Sequence, residues 1–221
     1  MEDRESHGKP IDAVVAEFQT DLDRGLSQAG ARERLEKFGA NELTEKPRPG
    51  FLSLLWDQFN NYLVIILIVA AVIAALLGEY VDSIAIMCIV ALNAVIGVIQ
   101  ESKAEQALAA LKKMAAPNAQ VIRDGYQITV ASRELVPGDI VLLEAGNYVP
   151  ADMRLVTTVN LKVEEASLTG ESVPVEKNAA LVLDQEAGLG DRKNSAFLST
   201  MVTYGRGKGL VTGTGMRTQI G

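Results

Sequence analysis

Two apolar runs divide this chain and set its organisation. Positions 62–77 are apolar without interruption, and positions 84–99 are apolar apart from Asn93 and Gly97. Extended from Phe59 to Gly78, the first run reaches ~30 Å as a helix, the thickness of a bilayer core. Adjacent runs of this length are rare in soluble cores, so the pattern predicts a transmembrane helical hairpin rather than a buried one. Between them, Gly78, Glu79, Tyr80, Val81 and Asp82 form a short acidic turn. Just ahead, positions 51–60 are amphipathic and aromatic, which predicts a membrane-surface segment with Trp56 in the headgroup zone. The second run does not stop at the bilayer. Positions 100–114 are Ala-rich and lack Gly and Pro, so they extend the helix as a rigid stalk that ends near Pro117.

The flanking regions follow other periods. Ile11, Val14, Val15 and Phe18 fall at helical spacing. After the break at Arg24, Gly25 and Leu26, Ser27 is placed to cap a second helix through Phe38, with Gly39 as a left-handed C-cap. Ala29, Leu35 and Phe38 give that helix a thin stripe, which predicts a docking helix pair without chemistry. Lys46, Pro47, Arg48 and Pro49 make a stiff, basic linker. From Ala119 onward the pattern is that of strands. Positions 121–123, the turn Asp124 and Gly125, and positions 127–130 predict a hairpin. Positions 140–143, 153–156, 161–163, 197–204 and 210–214 predict further strands, with 182–194 an exposed acidic loop. The fold class is therefore mixed: an α-helical transmembrane hairpin with a helical stalk, plus an all-β domain of distorted jelly-roll or barrel type. The expected domains are a cytoplasmic helical region (1–50), a surface segment with two spans (51–99), a stalk (100–116) and the β-rich domain (117–221).

Charge orients this layout. Lys46 and Arg48 precede the first run, and Lys103, Lys112 and Lys113 follow the second. The turn between has no Lys or Arg. The positive-inside rule puts both termini and the β domain in the cytoplasm of an integral, multi-pass membrane protein. The acidic start at Met1, Glu2, Asp3, Arg4 and Glu5 lacks the basic-then-apolar layout of a secretory leader. Asn93 is expected to face other helices, since an amide facing lipid is costly. A net charge of −7 argues against nucleic acid as a partner. The single cysteine, Cys88, excludes an internal disulfide and a Cys-rich zinc site.

Few positions carry candidate chemistry. Leu168, Thr169, Gly170, Glu171 and Ser172 sit in the strand-rich region. Gly170 permits an unusual backbone angle or a close approach to phosphate. Glu171 could accept a hydrogen bond from water and direct it at a phosphoryl group. Taken alone, a Thr-Gly-Glu run is a weak signal and reads more readily as a solvated turn. The stretch Gly205, Arg206, Gly207, Lys208, Gly209 lacks P-loop spacing and reads as a hairpin connection. His7 stands in a polar tail, and Asp139 and Asp152 are expected to hold turns rather than metal. Glu79 and Asp82 read as a solvated acidic turn.

In order, these segments resemble the N-terminal part of a P-type cation-transporting ATPase, in particular the calcium-pump-like (type II) subfamily. Gly25, Leu26 and Ser27 with positions 38–43 resemble that family's N-terminal region. Positions 93–101 resemble its second membrane helix, and 107–112 its stalk. Positions 137–140, 150–152 and 168–172 resemble its actuator domain, and 212–215 with 218–221 its approach to a third membrane helix. The resemblance implies an ATP-driven pump, with Ca²⁺ as the expected cargo, whose actuator brings a Thr-Gly-Glu loop to a phosphorylated aspartate. There Glu171 positions the attacking water, Gly170 permits close approach and Thr169 supports the loop. The implied partners are the lipid bilayer, the transported cation, further membrane helices, and the phosphorylation and nucleotide-binding domains that use ATP and Mg²⁺. The family's Asp-Lys-Thr-Gly motif, nucleotide-binding domain and main ion-coordinating helices have no counterpart in this sequence. No cofactor is therefore expected in this chain, and it is expected to be inactive alone. The other reading is a stand-alone membrane-anchored regulatory or binding module without catalysis.

Overall fold

The computed structural model describes residues 6–44, 50, 56, 59–114, 117–170 and 172–221. The linker at Lys46, Pro47, Arg48 and Pro49 lies outside the described residues, as does most of the surface segment expected over 51–60. The chain forms two compact units, one from Met1–Thr44 with Ala116–Gly221 and one from Glu45–Ala115.

The unit Glu45–Ala115 contains two apolar helices. α3 spans Tyr62–Leu76, 15 residues, and α4 spans Tyr80–Met114, 35 residues. (α1 and α2 precede them and belong to the other unit.) Asn61 caps α3, its side-chain oxygen accepting from Leu63 N at 3.0 Å. That cap starts the helix at Tyr62 and stops it merging with Phe59, so α3 is ~22 Å long, shorter than the expected span. Its far end is a Schellman turn. Glu79 N donates to Ala74 O at 2.9 Å, Gly78 N donates to Ala75 O at 3.1 Å, and Gly78 has φ 88°. α4 is one continuous helix of ~52 Å, as the stalk pattern predicts. Among the described residues, one helix is long and apolar enough to cross a membrane, Tyr80–Leu108. Ala71, Val90, Ala94 and Val98 are buried, the last three one helical turn apart. Asn93 is exposed on α4.

The other unit is an antiparallel sheet carrying two small helices. α1 is Ile11–Phe18 and α2 is Gln28–Phe38. Ser27 caps α2 as expected, accepting from Gly30 N at 3.0 Å. Gly39 ends it with φ 80° and ψ 175°, a glycine conformation but not the left-handed helical one. The buried face of α2 is also not the one its stripe suggests. Ala31 and Leu35 pack with Leu26 and Val136, whereas Ala29 is exposed.

The strands are β1 Asn118–Arg123, β2 Tyr126–Ala131, β3 Ile140–Glu144, β4 Asp152–Glu164, β5 Val175–Glu176, β6 Ser195–Ala196 and β7 Met201–Gly213. Their order is β2-β1-β3-β7-β4-β5, with β6 on β4. The β1–β2 hairpin turns at Asp124 (φ 53°) and Gly125 (φ 82°), the positive-φ pair of a tight two-residue connection. One face of the sheet encloses Val121, Val141, Leu143, Met153, Leu155, Leu161, Val163 and Val211. On the other face, Ile122, Ile140 and Leu210 pack under Val14 and Phe18 of α1.

Two sequence expectations fail here. Positions 153–156 and 161–163 belong to one strand, β4, and positions 205–209 lie inside β7 rather than in a hairpin connection. The reason is the β4–β7 pairing, whose register shifts at four places. Bulges break the period of two that sequence reading relies on. The glycines serve close approach: a Cβ at Gly205 would stand 2.2 Å from Asn160 O, and one at Gly209 2.3 Å from Met153 Sδ.

Polar side chains lock this unit. Arg123 Nε donates to Asp139 Oδ1 at 2.9 Å and Nη2 to Oδ2 at 2.7 Å. The same Asp139 accepts from Val136 N at 3.0 Å, and Arg123 Nη2 also reaches Glu134 O at 3.0 Å. Asn41 Nδ2 donates to Ser132 O at 3.0 Å and Pro150 O at 2.8 Å, while its Oδ1 accepts from Gly215 N at 2.8 Å. Asp152 accepts from Leu198 N at 2.8 Å and Gln219 N at 2.6 Å. Asp139 and Asp152 thus hold backbone, as their turn positions predict.

Candidate functional site

The Thr169–Gly170 segment grows out of the end of β4. Strand alternation carries Leu161, Val163 and Glu165 inward and leaves Lys162 and Glu164 exposed. The backbone then turns once as the short helix α5, Ala166–Thr169. Glu165 O receives Leu168 N at 2.9 Å, Thr169 N at 2.9 Å and Thr169 Oγ1 at 3.0 Å. Gly170 closes the turn with φ 79° and ψ −1°, its N donating to Ala166 O at 3.0 Å. A left-handed helical angle at this point favours glycine, and nothing lies within 4 Å of where a Cβ would be. Gly170, Ser172, Val173 and Pro174 are exposed. The chain returns as β5, pairing Val175 with Val163 and Glu176 with Lys162.

Of the expected site residues, the structure places Thr169 and Gly170 side by side at this exposed turn. Thr169 is half-buried, and its methyl lies beside Gly190, where a Cβ would stand 3.4 Å from Cγ2. Glu171 lies outside the described residues. The run from Gly205 to Gly209 is remote in role, being sheet interior. Cys88 lies exposed on α4. Among the described residues, no group of three or more His, Cys, Asp or Glu side chains could hold a metal ion.

His7 is not the free tail residue its surroundings suggest. It is 2% exposed, and its Nε2 lies 3.1 Å from Gln185 O. Leu183 N donates to His7 O at 3.0 Å, and Asn194 Nδ2 donates to the same oxygen at 2.8 Å. The exposed loop expected over 182–194 is therefore anchored at its end, with Asn194 fully buried. Arg154 is buried with it, donating to Leu155 O, Ala179 O, Asn194 O and Leu181 O at 2.8–3.1 Å. Burial lowers its pKa to about 10.

Sequence reading also misses a buried charge pair beneath the loop. Lys177 Nζ lies 2.6 Å from Glu165 Oε1, and both side chains are 0% exposed. Lys177 Nζ also stands 5.6 Å from the centre of the Phe197 ring and 3.4 Å from Arg192 O. Neither Glu165 carboxylate oxygen has a partner in hydrogen-bond geometry among the described residues, so the Lys177 contact is an ion pair without an aligned hydrogen bond. Burial raises the Glu165 pKa against the pull of Lys177, and burial lowers that of Lys177 against the pull of Glu165. A local signal for the pair does exist. Continuing the inward phase from Leu161 and Val163 reaches Glu165, and the same phase from Val175 reaches Lys177.

Comparison with known proteins fits this architecture. Residues 6–74 match the family described as cation transporter/ATPase, N-terminus, and residues 113–221 match the P-type ATPase actuator domain. Calcium-transporting ATPase 1 of Bacillus cereus is 51% identical over 219 residues, covering 97% of this chain and 25% of that protein. Probable cation-transporting ATPase F of Mycobacterium tuberculosis H37Rv is 46% identical over 215 residues, covering 97% of this chain and 24% of the relative. The calcium-transporting ATPase of Bacillus subtilis is 44% identical over 202 residues, covering 91% and 23%. The chain spans about a quarter of the length of these relatives.

Proposed function

We propose, because this chain belongs to the P-type cation-transporting ATPase family, that it forms the N-terminal and actuator part of an ATP-driven pump whose cargo is Ca²⁺. The observation that carries this reading is the exposed Thr169–Gly170 turn, with its left-handed glycine, inside a region that matches the actuator domain. The cargo is inferred from relatives whose names specify calcium.

In this reading Glu171 orients a water for in-line attack on an aspartyl phosphate carried elsewhere in the pump. A new P–O bond forms to the water oxygen, the aspartate carboxylate leaves, and Glu171 takes the water's proton. Gly170 lets the backbone come close to the phosphoryl group, and Thr169 braces the turn through Glu165 O. ATP is the substrate of the whole pump and Mg²⁺ its companion. Their sites, like the phosphorylated aspartate, are assigned to other domains of that pump. The organisation proposed is a cytoplasmic helical region (1–50), two membrane spans (51–99), a stalk (100–116) and the actuator (117–221). Both termini and the actuator lie in the cytoplasm, by the Lys and Arg bias of the flanks. α4, continuous from apolar to polar residues, is suited to carry actuator motion into the membrane.

The test is Glu171→Gln in the whole pump. The phosphoenzyme formed from ATP should accumulate, and its decay should slow by about a hundredfold or more, the scale of a lost general base. Unchanged decay would remove Glu171 from the mechanism.

A further inference from the structure

We infer that Glu165 and Lys177 are the positioning residues of the Thr169–Gly170 loop: their ion pair closes the neck of the loop and holds the turn that ends at Gly170. This rests on the reading that the loop presents Glu171 to a phosphorylated aspartate.

The geometry converges on Glu165 from both sides. Its carbonyl accepts three hydrogen bonds from Leu168 and Thr169, so it holds the turn that leads to Gly170. Its carboxylate, on the same residue, meets Lys177 on the returning leg at 2.6 Å. One residue therefore ties the outgoing turn to the incoming strand. Little else does so. β5 is two residues long and contributes two ladder pairs, Lys162 with Glu176 and Val163 with Val175. Beyond them Lys177 N donates to Leu161 O at 2.8 Å. Gly170, Ser172, Val173 and Pro174 are exposed, so these residues add no core packing to hold the turn.

The chemistry of the pair points the same way. A fully buried ion pair is a poor source of stability, because desolvation offsets most of its attraction, and a well-packed apolar pair often serves as well. What this ion pair supplies is a fixed distance between the two legs of the loop, 2.6 Å from Nζ to Oε1. Here it has no redundancy on the carboxylate side, since neither oxygen has a partner in hydrogen-bond geometry among the described residues and the ion-pair contact alone links the carboxylate to Lys177. Lys177 is steadied from behind by the Phe197 ring and by Arg192 O, so the cation is the fixed partner and the Glu165 turn is the part it holds. Loss of either charge should free the turn while leaving the sheet behind it intact.

Two readouts test this. In the 221-residue chain, hydrogen exchange is followed at the amides of Leu168, Thr169 and Gly170. Glu165→Gln or Lys177→Met should speed exchange there by about tenfold or more beyond any change at the amides of β3 and β7. In the whole pump, the same variants should slow phosphoenzyme decay by about tenfold, with phosphorylation from ATP within about twofold of the parent. Uniformly faster exchange, or a parallel fall in phosphorylation and decay, would mean a merely structural pair and would overturn the proposal. Protected loop amides with normal decay would overturn it too. Glu171→Gln, run alongside, separates the two ideas. If it slows decay and the pair variants do not, the pair fails and Glu171 stands. If it leaves decay unchanged, the Glu171 reading fails, and the exchange data alone decide whether the pair positions the loop. Should neither single variant fold, the double variant E165L/K177M, which buries no charge, takes the same measurements under the same criteria.

Discussion

Two buried ion pairs sit in the same sheet unit and are built differently. Arg123 meets Asp139 through two charge-assisted hydrogen bonds, and both partners spend their remaining capacity on backbone groups of residues 134 and 136. Glu165 meets Lys177 through one ion-pair contact, and neither of its carboxylate oxygens has a partner in hydrogen-bond geometry among the described residues. The first pair fastens the loop around Pro137 to β1, next to the docked helix α1. The second lies at the root of an exposed loop. A planar, two-pronged contact resists both translation and rotation, whereas a single ammonium–carboxylate contact fixes little more than distance. The first arrangement suits a permanent joint, and the second suits a part that must be set in place yet remain adjustable.

The comparison is broken most forcefully at the permanent joint. Asp139→Ala leaves the Arg123 guanidinium buried without its partner and strips Val136 N of its acceptor. The loss should be about 3–5 kcal/mol, read by denaturant unfolding of the chain followed by circular dichroism. A loss below about 1 kcal/mol would erase the distinction drawn here, because it would make this pair no firmer than a surface contact. Lys177→Met should be milder, about 1–3 kcal/mol, because Glu165 can respond by taking up a proton.

Titration sharpens the contrast further. Burial lifts the folded-state pKa of Glu165 above its unfolded value of 4.5. A raised folded-state value means that the native chain binds the proton more tightly. The stabilisation is then complete below 4.5 and is lost as pH climbs through the folded-state value. Lys177, lowered by burial from 10.5, gives the opposite slope in the alkaline range. Glu165→Gln should therefore flatten the fall in stability above about pH 4.5, while an unchanged slope would assign the titration elsewhere. The smallest effect belongs to the loop itself. Gly170→Ala should cost about 1–2 kcal/mol of backbone strain, since a Cβ there meets no atom. The thermal midpoint should fall by only a few degrees, on the order of 2–4 °C per kcal/mol for a unit of this size, Met1–Thr44 with Ala116–Gly221.

How much of this was legible in the sequence follows from the range of the forces involved. The second apolar run, the Ser27 cap, the β1–β2 turn and the continuous helix α4 all rest on residues within a turn or two of each other, and they read correctly, whereas the first run forms a helix shorter than the expected span. The span of β7 did not. Its glycines resemble a turn, but they answer to Asn160 and Met153 on a neighbouring strand. β4 was split in two because its bulges interrupt the alternation from which strands are read. His7 and Asn194 looked solvated because their partners lie far along the chain. The Thr169–Gly170 turn was legible as a glycine-bent tip. Glu165 and Lys177 were not, because a charged residue inside a core makes sense only when its opposite charge is also seen.

The anchoring of α1 has a consequence for how the protein is made. Val14 and Phe18 are buried against Ile122, Ile140 and Leu210, and the intervening residues include an entire second unit, Glu45–Ala115. A ribosome adding about 5–20 residues per second delivers Leu210 on the order of 10–40 s after Phe18. Through that interval the native cover of the nascent α1 is incomplete, because Leu210 is made after Ile122 and Ile140, while the apolar helices that follow are already emerging. The order of synthesis thus leaves the packing of this helix unfinished until the last strand is made.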